Sequence, residues 1–87
     1  MKIKDGFILR EMSDKYIVVT IGEASKQFNG MIHLNEAGAY MWRELEKGLS
    51  EDELVQKLLA RYEGIDENEA REEVRSFTGK IEVAVDK

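Results

Sequence analysis

The chain has 87 residues, no cysteine, one histidine and a formal net charge of −5 at pH 7. Without cysteine it forms neither a disulfide nor a cysteine-based zinc site, and we expect a cytoplasmic location. The negative charge disfavours binding to nucleic acid or to an anionic membrane. No apolar run approaches the roughly 20 residues that span a bilayer, and the first ten residues lack the pattern of a secretory signal. The length predicts a single domain, residues 1–87, with little room for an enclosed active site.

The first part of the chain is typical of β-strands. Bulky apolar residues predict a short strand over residues 7–11, and turn-forming residues follow at 13–15. Residues 16–21 are β-branched or aromatic almost throughout, which predicts a second strand and therefore a hairpin. Residues 22–30 are expected to form a polar loop, and residues 31–34 a third strand.

The remainder of the chain is typical of three helices. Capping residues predict that they start at Asn35, Ser50 and Asp66. Their predicted ends are Gly48, Gly64 and about Lys80. Residues 81–87 alternate apolar and polar side chains, and the conformation of this tail stays open.

Three strands are stable only when one face of the sheet is covered, and three helices can supply that cover. We therefore predict an α+β fold of winged helix-turn-helix type, in which a three-stranded antiparallel sheet is followed by three helices. In the third helix, apolar residues recur at steps of four, three and four positions, which predicts one apolar stripe. The stripe consists of Ala70, Val74, Phe77 and Ile81.

No catalytic or metal-binding pattern is apparent in the sequence. No serine lies in a G-x-S-x-G setting, and His33 has no neighbouring ligands at metal-site spacing, so we interpret it as a partly exposed strand residue. Most carboxylates cluster at predicted helix starts, where the helix dipole favours them. The glycines occur singly and form no phosphate-binding loop. We predict a protein that is not an enzyme and needs no metal or cofactor.

Residues 34–42, with the sequence LNEAGAYMW, resemble the L-N-x-T/x-G-A-x-x-W/hydrophobic signature of the PqqD family. Residues 50–55 match the helix start that follows in this family, and Tyr62 matches its tyrosine before the next break. The resemblance extends over residues 6–77. The chain departs from the family at Ala37, where threonine is frequent, and after residue 77, where family members have a longer helix end.

The resemblance implies a non-catalytic adaptor for the biosynthesis of PQQ or another ribosomally made, modified peptide. Such domains bind the leader of a precursor peptide and present it to a modifying enzyme, often a radical SAM protein. In the family, the leader adds to the third strand and lies against the third helix, where Arg71 and Arg75 would here pair with acidic leader residues. The implied peptide-binding residues are Met31, Ile32, His33 and Leu34 on the strand, and Ala70, Arg71, Val74, Arg75 and Phe77 on the helix.

Three alternatives remain open at this point. A winged-helix protein can bind nucleic acid, but the acidic residues 66–69 and 72–73 of the third helix argue against contact with phosphates. The domain can also be regulatory, with its strand edge used for dimerisation, so it is expected as a monomer or a strand-exchanged dimer. Finally, the apolar stripe can be the buried face of an amphipathic helix instead of a peptide-binding surface.

Overall fold

The computed structural model describes residues 1–86. Its strands are β1 (Lys2–Ile3), β2 (Phe7–Met12), β3 (Lys15–Thr20), β4 (Ile32–Leu34) and β5 (Val85–Asp86). Its helices are α1 (Ala24–Gln27), α2 (Glu36–Leu45), α3 (Glu51–Arg61) and α4 (Glu67–Lys80). A 3₁₀ turn, Glu82–Ala84, connects α4 to β5. The predicted alternation in the tail extends to Lys87, which lies outside the described residues.

The predicted three-stranded antiparallel sheet is confirmed, with the strand order β2-β3-β4. Met12 lies opposite Lys15 across a two-residue turn, and Ser13 in this turn has a φ of 53°. β4 then runs antiparallel to β3, with Ile32 opposite Val18. The middle strand is therefore the hairpin strand β3, and β4 forms a border of the sheet.

The predicted helix starts are confirmed by their caps. The Asn35 side chain accepts a hydrogen bond from the backbone N–H of Gly38 at 2.7 Å. Complete capping boxes, in which the cap and a glutamate three residues later bond reciprocally, start α3 and α4. These local bonds explain why the sequence places the three helix starts at the observed caps, whereas α2 and α3 end at Leu45 and Arg61, three residues before the predicted Gly48 and Gly64.

The hydrophobic core lies between one face of the sheet and the helices. Trp42 is 1% exposed, and it packs with buried residues of the sheet and of α3 and α4. The core residues of the sheet are Phe7, Val18, Ile32 and Leu34. Those of α3 and α4 include Leu54, Val55, Leu58, Ala70, Val74 and Phe77. This confirms the α+β layer arrangement, with the helices on one side of the sheet.

Two features of the fold, α1 and the pairing of β1 with β5, were not predicted. The expected loop over residues 22–30 contains α1, which is anchored by the buried Ala24 but is too short to show a helical period. The tail folds back so that β5 pairs with β1, with Lys2 opposite Asp86. Among residues 1–86, no helix has both the length and the apolar character needed to cross a membrane.

Candidate functional site

One long side of β4 is open. β4 pairs with β3 on one side, and within residues 1–86 no strand pairs with the other side. The last described strand, β5, does not pair with it either, because β5 pairs with β1 in a separate two-stranded sheet. An open strand border presents backbone donors and acceptors to which a further strand can bind.

The direction of these backbone groups follows from the hairpin. Met12 and Lys15 flank a two-residue turn, so they form a hydrogen-bonded pair. In an antiparallel ladder, bonded and non-bonded pairs alternate, so the next bonded pair is Arg10 with Ile17. The N–H and C=O groups of Ile17 therefore point towards β2.

His33 lies opposite Ile17 on β4. Because Ile17 directs its backbone groups to β2, the Ile17–His33 pair is a non-bonded one, and the N–H and C=O of His33 point away from β3. The adjacent side chains of Ile32 and Leu34 are buried on the core face, which fixes this orientation, whereas the His33 side chain is exposed on the outer face. The open side of β4 is thus centred on the backbone of His33.

A groove of about 130 Å³ lies between the end of β4 and α4. Gly38 of α2 is important for its shape, because a Cβ at this position would lie 3.3 Å from Cβ of Leu34 and 3.2 Å from the Asn35 cap oxygen. Glycine thus lets α2 start close to β4. The residues that line the groove are Leu34, Asn35, Gly38, Met41, Glu73, Ser76, Phe77 and Lys80.

The stripe on α4 is confirmed as one apolar face, but that face is largely buried. Ala70 and Val74 have no exposed surface, so they cannot contact a peptide in this conformation. Phe77 is 5% exposed and lines the groove. The accessible part of α4 at the groove consists of exposed residues that we did not predict: Glu73, Ser76 and Lys80.

Their spacing is the sequence signal that could have identified them. Positions three and four apart share a face of a helix, and these three residues follow one another at such steps, beside the apolar stripe. Choosing between the two neighbouring faces requires the positions of α2 and β4, which the sequence does not supply.

Arg71 and Arg75 lie on the side of α4 that contacts α3. Arg71 Nη1 is 2.8 Å from Glu51 Oε2 and 2.9 Å from a carboxylate oxygen of Asp52. Arg75 Nε is 3.2 Å from the other oxygen of Glu51. Hydrogen bonds from Arg75 and then Arg71 hold the pKa of the Glu51 carboxyl below its ordinary value. The expected pairing of these arginines with a peptide is untested, and here both contact acidic groups of the chain itself.

Exposed side chains also lie along β4. Met31, just before β4, is 59% exposed, and the His33 side chain is exposed on β4. Within residues 1–86, histidine and acidic side chains form no cluster of three or more that could hold a metal ion. The chemistry available at the border of β4 is therefore backbone hydrogen bonding, apolar contact and a few surface charges.

The chain is similar to known proteins in sequence and in fold. The family model described as Coenzyme PQQ synthesis protein D (PqqD) matches residues 8–82. A solved structure described as TbiB1 in complex with the TbiA(beta) leader peptide superposes with a TM-score of 0.75. The alignment covers 100% of this chain and 98% of that chain at 22% sequence identity, which shows a common fold. No curated protein is similar enough to count as a match.

Proposed function

The chain belongs to the PqqD family, and on that premise we propose that it is a non-catalytic adaptor for the leader segment of a ribosomal precursor peptide. The leader binds as an additional strand along the open side of β4 and is thereby presented to a modifying enzyme, such as a radical SAM protein. The observation that carries the proposal is the outward direction of the His33 N–H and C=O beside the groove. TbiB1, which has the same fold, is described in a complex with a leader peptide, and this supports the proposal.

The backbone of β4 cannot supply the affinity alone. His33 offers one donor and one acceptor, and each hydrogen bond contributes about 1 kcal/mol net. Micromolar binding requires about 8 kcal/mol. Most of the binding free energy therefore comes from leader side chains that enter the groove, where Leu34, Met41 and Phe77 provide apolar contacts.

The proposed binding residues differ in part from those implied by the family resemblance. The strand residues 31–34 remain, because they form the open border and its flank. On α4, Phe77 remains, and the exposed Glu73, Ser76 and Lys80 take the place of the buried Ala70 and Val74. The acidic residues at the start of α4 make a nucleic-acid partner unfavourable.

Strand addition is tested with peptides selected from a displayed library of random sequences of about 12 residues. An extended peptide of this length spans about 40 Å, which matches the longest dimension of the molecule, 39 Å. The sequence enriched by selection is synthesised, and its Kd is measured by calorimetry. The wild-type protein is expected to bind it, with NMR shifts concentrated on residues 31–34 and around the groove.

His33→Pro is the decisive variant. Proline removes the N–H that points to the open side, and a sheet border tolerates it at such a position, so the fold is expected to remain. We expect the peptide Kd to rise more than tenfold, and His33→Ala, which keeps the N–H, to lose much less affinity. The matched control is Glu11→Pro on β2, the opposite border, where the N–H also points outward. Equal binding by both proline variants would contradict strand addition at β4.

A further inference from the structure

A second cavity, of about 260 Å³, adjoins the groove. We call it the apolar pocket. The buried side chains of Met41 and Leu58 line it, together with the half-buried Ala37, Tyr62 and Ile65. Two exposed carboxylates, Glu63 and Glu73, lie at its rim. Met41 and Glu73 also line the groove, so the two cavities meet along α2 and α4.

We infer that the apolar pocket is a second subsite for the same peptide, and that it takes one large apolar or aromatic side chain next to a lysine or arginine. The inference rests on the proposed function, because it concerns the peptide whose strand-forming part lies along β4. It adds a specificity requirement that strand addition does not contain, since backbone pairing accepts almost any sequence.

The size of the pocket indicates which side chain fits. An apolar cavity of about 150 Å³ in another protein binds a benzene molecule. The groove, at about 130 Å³, is close to this limit, whereas the apolar pocket, at about 260 Å³, exceeds it. The larger anchor of the peptide therefore belongs in the apolar pocket, and the groove takes a smaller side chain.

The pocket is within reach of a peptide on β4. Ala37 follows Leu34 by three residues, so their Cα atoms are at most about 11 Å apart. Three or four extended residues span this distance at about 3.3 Å each. The anchor is thus expected a few residues beyond the part of the peptide that pairs with His33.

The charge at the rim selects the neighbour of the anchor. Glu63 and Glu73 are exposed, and none of the residues that line the pocket is a lysine or arginine. One cation is nearby: the Arg61 guanidinium does not line the pocket, but it lies 4.3 Å from the centre of the Tyr40 ring and 5.8 Å from that of Tyr62, so the two rim carboxylates outnumber it. The potential at the rim therefore favours a cationic residue beside the anchor, with an effect that weakens as salt rises.

Ala37→Leu tests the subsite, because a leucine at this half-buried helix position fills the pocket without removing a core side chain. The matched control is Ala60→Leu, at an exposed position on α3 outside the pocket. The ligand is the synthetic peptide enriched from the random library on wild-type protein. We expect it to contain Phe, Trp, Leu, Ile or Met next to Lys or Arg, and to bind Ala37→Leu about 10- to 100-fold more weakly than the control.

A peptide whose anchor is replaced by alanine distinguishes a filled pocket from a misfolded variant, because it needs the folded protein but not the pocket. If the pocket holds the anchor, this peptide binds wild-type protein and Ala37→Leu with nearly equal affinity. Glu63→Gln is expected to weaken the anchored peptide a few-fold at low salt and to have less effect at high salt.

Two outcomes would overturn the inference and leave strand addition intact. One is equal binding of the anchored peptide by Ala37→Leu and Ala60→Leu, together with sensitivity to His33→Pro. The other is a set of enriched peptides without a large apolar residue beside a cation. Two other results would contradict the proposed function itself. Either no displayed peptide binds wild-type protein, or the His33→Pro substitution leaves the Kd of the peptide unchanged.

Discussion

Arg71 of α4 and Glu51 of α3 are joined by a hydrogen bond of 2.8 Å between Nη1 and Oε2. Arg75 reaches the same carboxylate, so two cations of α4 hold the first residue of α3. Arg71 and Arg75, which the sequence predicts to pair with a peptide, thus connect α4 to α3 within the fold.

Arg71→Ala is accordingly expected to lower the Tm while leaving the Kd of the selected peptide within about twofold of wild type, because Arg71 does not line the groove. Thermal unfolding by circular dichroism and calorimetric titration measure the two effects. Lys57→Ala, at an exposed position on α3, is the control for removal of a surface cation. A large loss of peptide affinity with an unchanged Tm would show instead that Arg71 contacts the peptide.

The carboxyl of Glu51 predicts a dependence of stability on pH. Its pKa in the folded protein is lowered by hydrogen bonds from Arg75 and Arg71, while in the unfolded chain it returns to the ordinary value of a glutamate. The stabilisation is therefore fully present above the unfolded pKa and is lost as the pH falls through the folded pKa. Urea unfolding at a series of pH values should show that wild type is more stable than Glu51→Gln at neutral pH, and that the difference shrinks in acid. The control Glu72→Gln, at an exposed position on α4, should show the same dependence of stability on pH as wild type. If the difference in unfolding free energy between wild type and Glu51→Gln stayed constant with pH, the ionisation of Glu51 would not be its cause.

Ser13→Gly is expected to stabilise the protein. Ser13 has a φ of 53°, in the left-handed region that costs a residue with a Cβ about 1 kcal/mol or more. Glycine removes this cost. Its greater conformational freedom in the unfolded chain offsets part of the gain in stability. We expect a gain of about 0.5–1 kcal/mol in the free energy of unfolding, or a rise of a few degrees in Tm. Asp14→Gly, at the neighbouring position without a positive φ, should give no gain.

Trp42→Ala is expected to be strongly destabilising. The Trp42 side chain is 1% exposed at the centre of the core, and replacement of a buried tryptophan by alanine costs about 3–5 kcal/mol. This is a large fraction of the 5–15 kcal/mol typical of folded proteins. Chemical unfolding followed by circular dichroism measures the loss. Met12→Ala, at a position that is 54% exposed, should change stability by about 0.5 kcal/mol or less; equal losses in the two variants would contradict the central role of Trp42.

The sequence predicts those parts of the fold that depend on local signals. The capping boxes at Ser50 and Asp66 fix the starts of α3 and α4, and β-branched residues place the hairpin strands to within a residue. α1 and the β1–β5 pair are missed for a physical reason. Elements of two to four residues have no measurable period, and the β1–β5 pair joins opposite ends of the chain.

The candidate site is predicted on the strand and only in part on the helix. The sequence predicts a short third strand over residues 31–34, directly before a capped helix, and in the structure β4 (Ile32–Leu34) forms a border of the sheet. On α4, the sequence shows an apolar stripe but not what covers it. Packing against α2 and α3 buries Ala70 and Val74 and leaves Ser76 and Lys80 beside the groove.

The pairing of Lys2 with Asp86 places the first and last described strands side by side. No residue of β1 or β5 lines the groove or the apolar pocket. The whole unit can therefore be grafted into a surface loop of an unrelated host protein, entering and leaving at neighbouring points. In such a chimaera, the open border of β4 would be carried intact into the host protein.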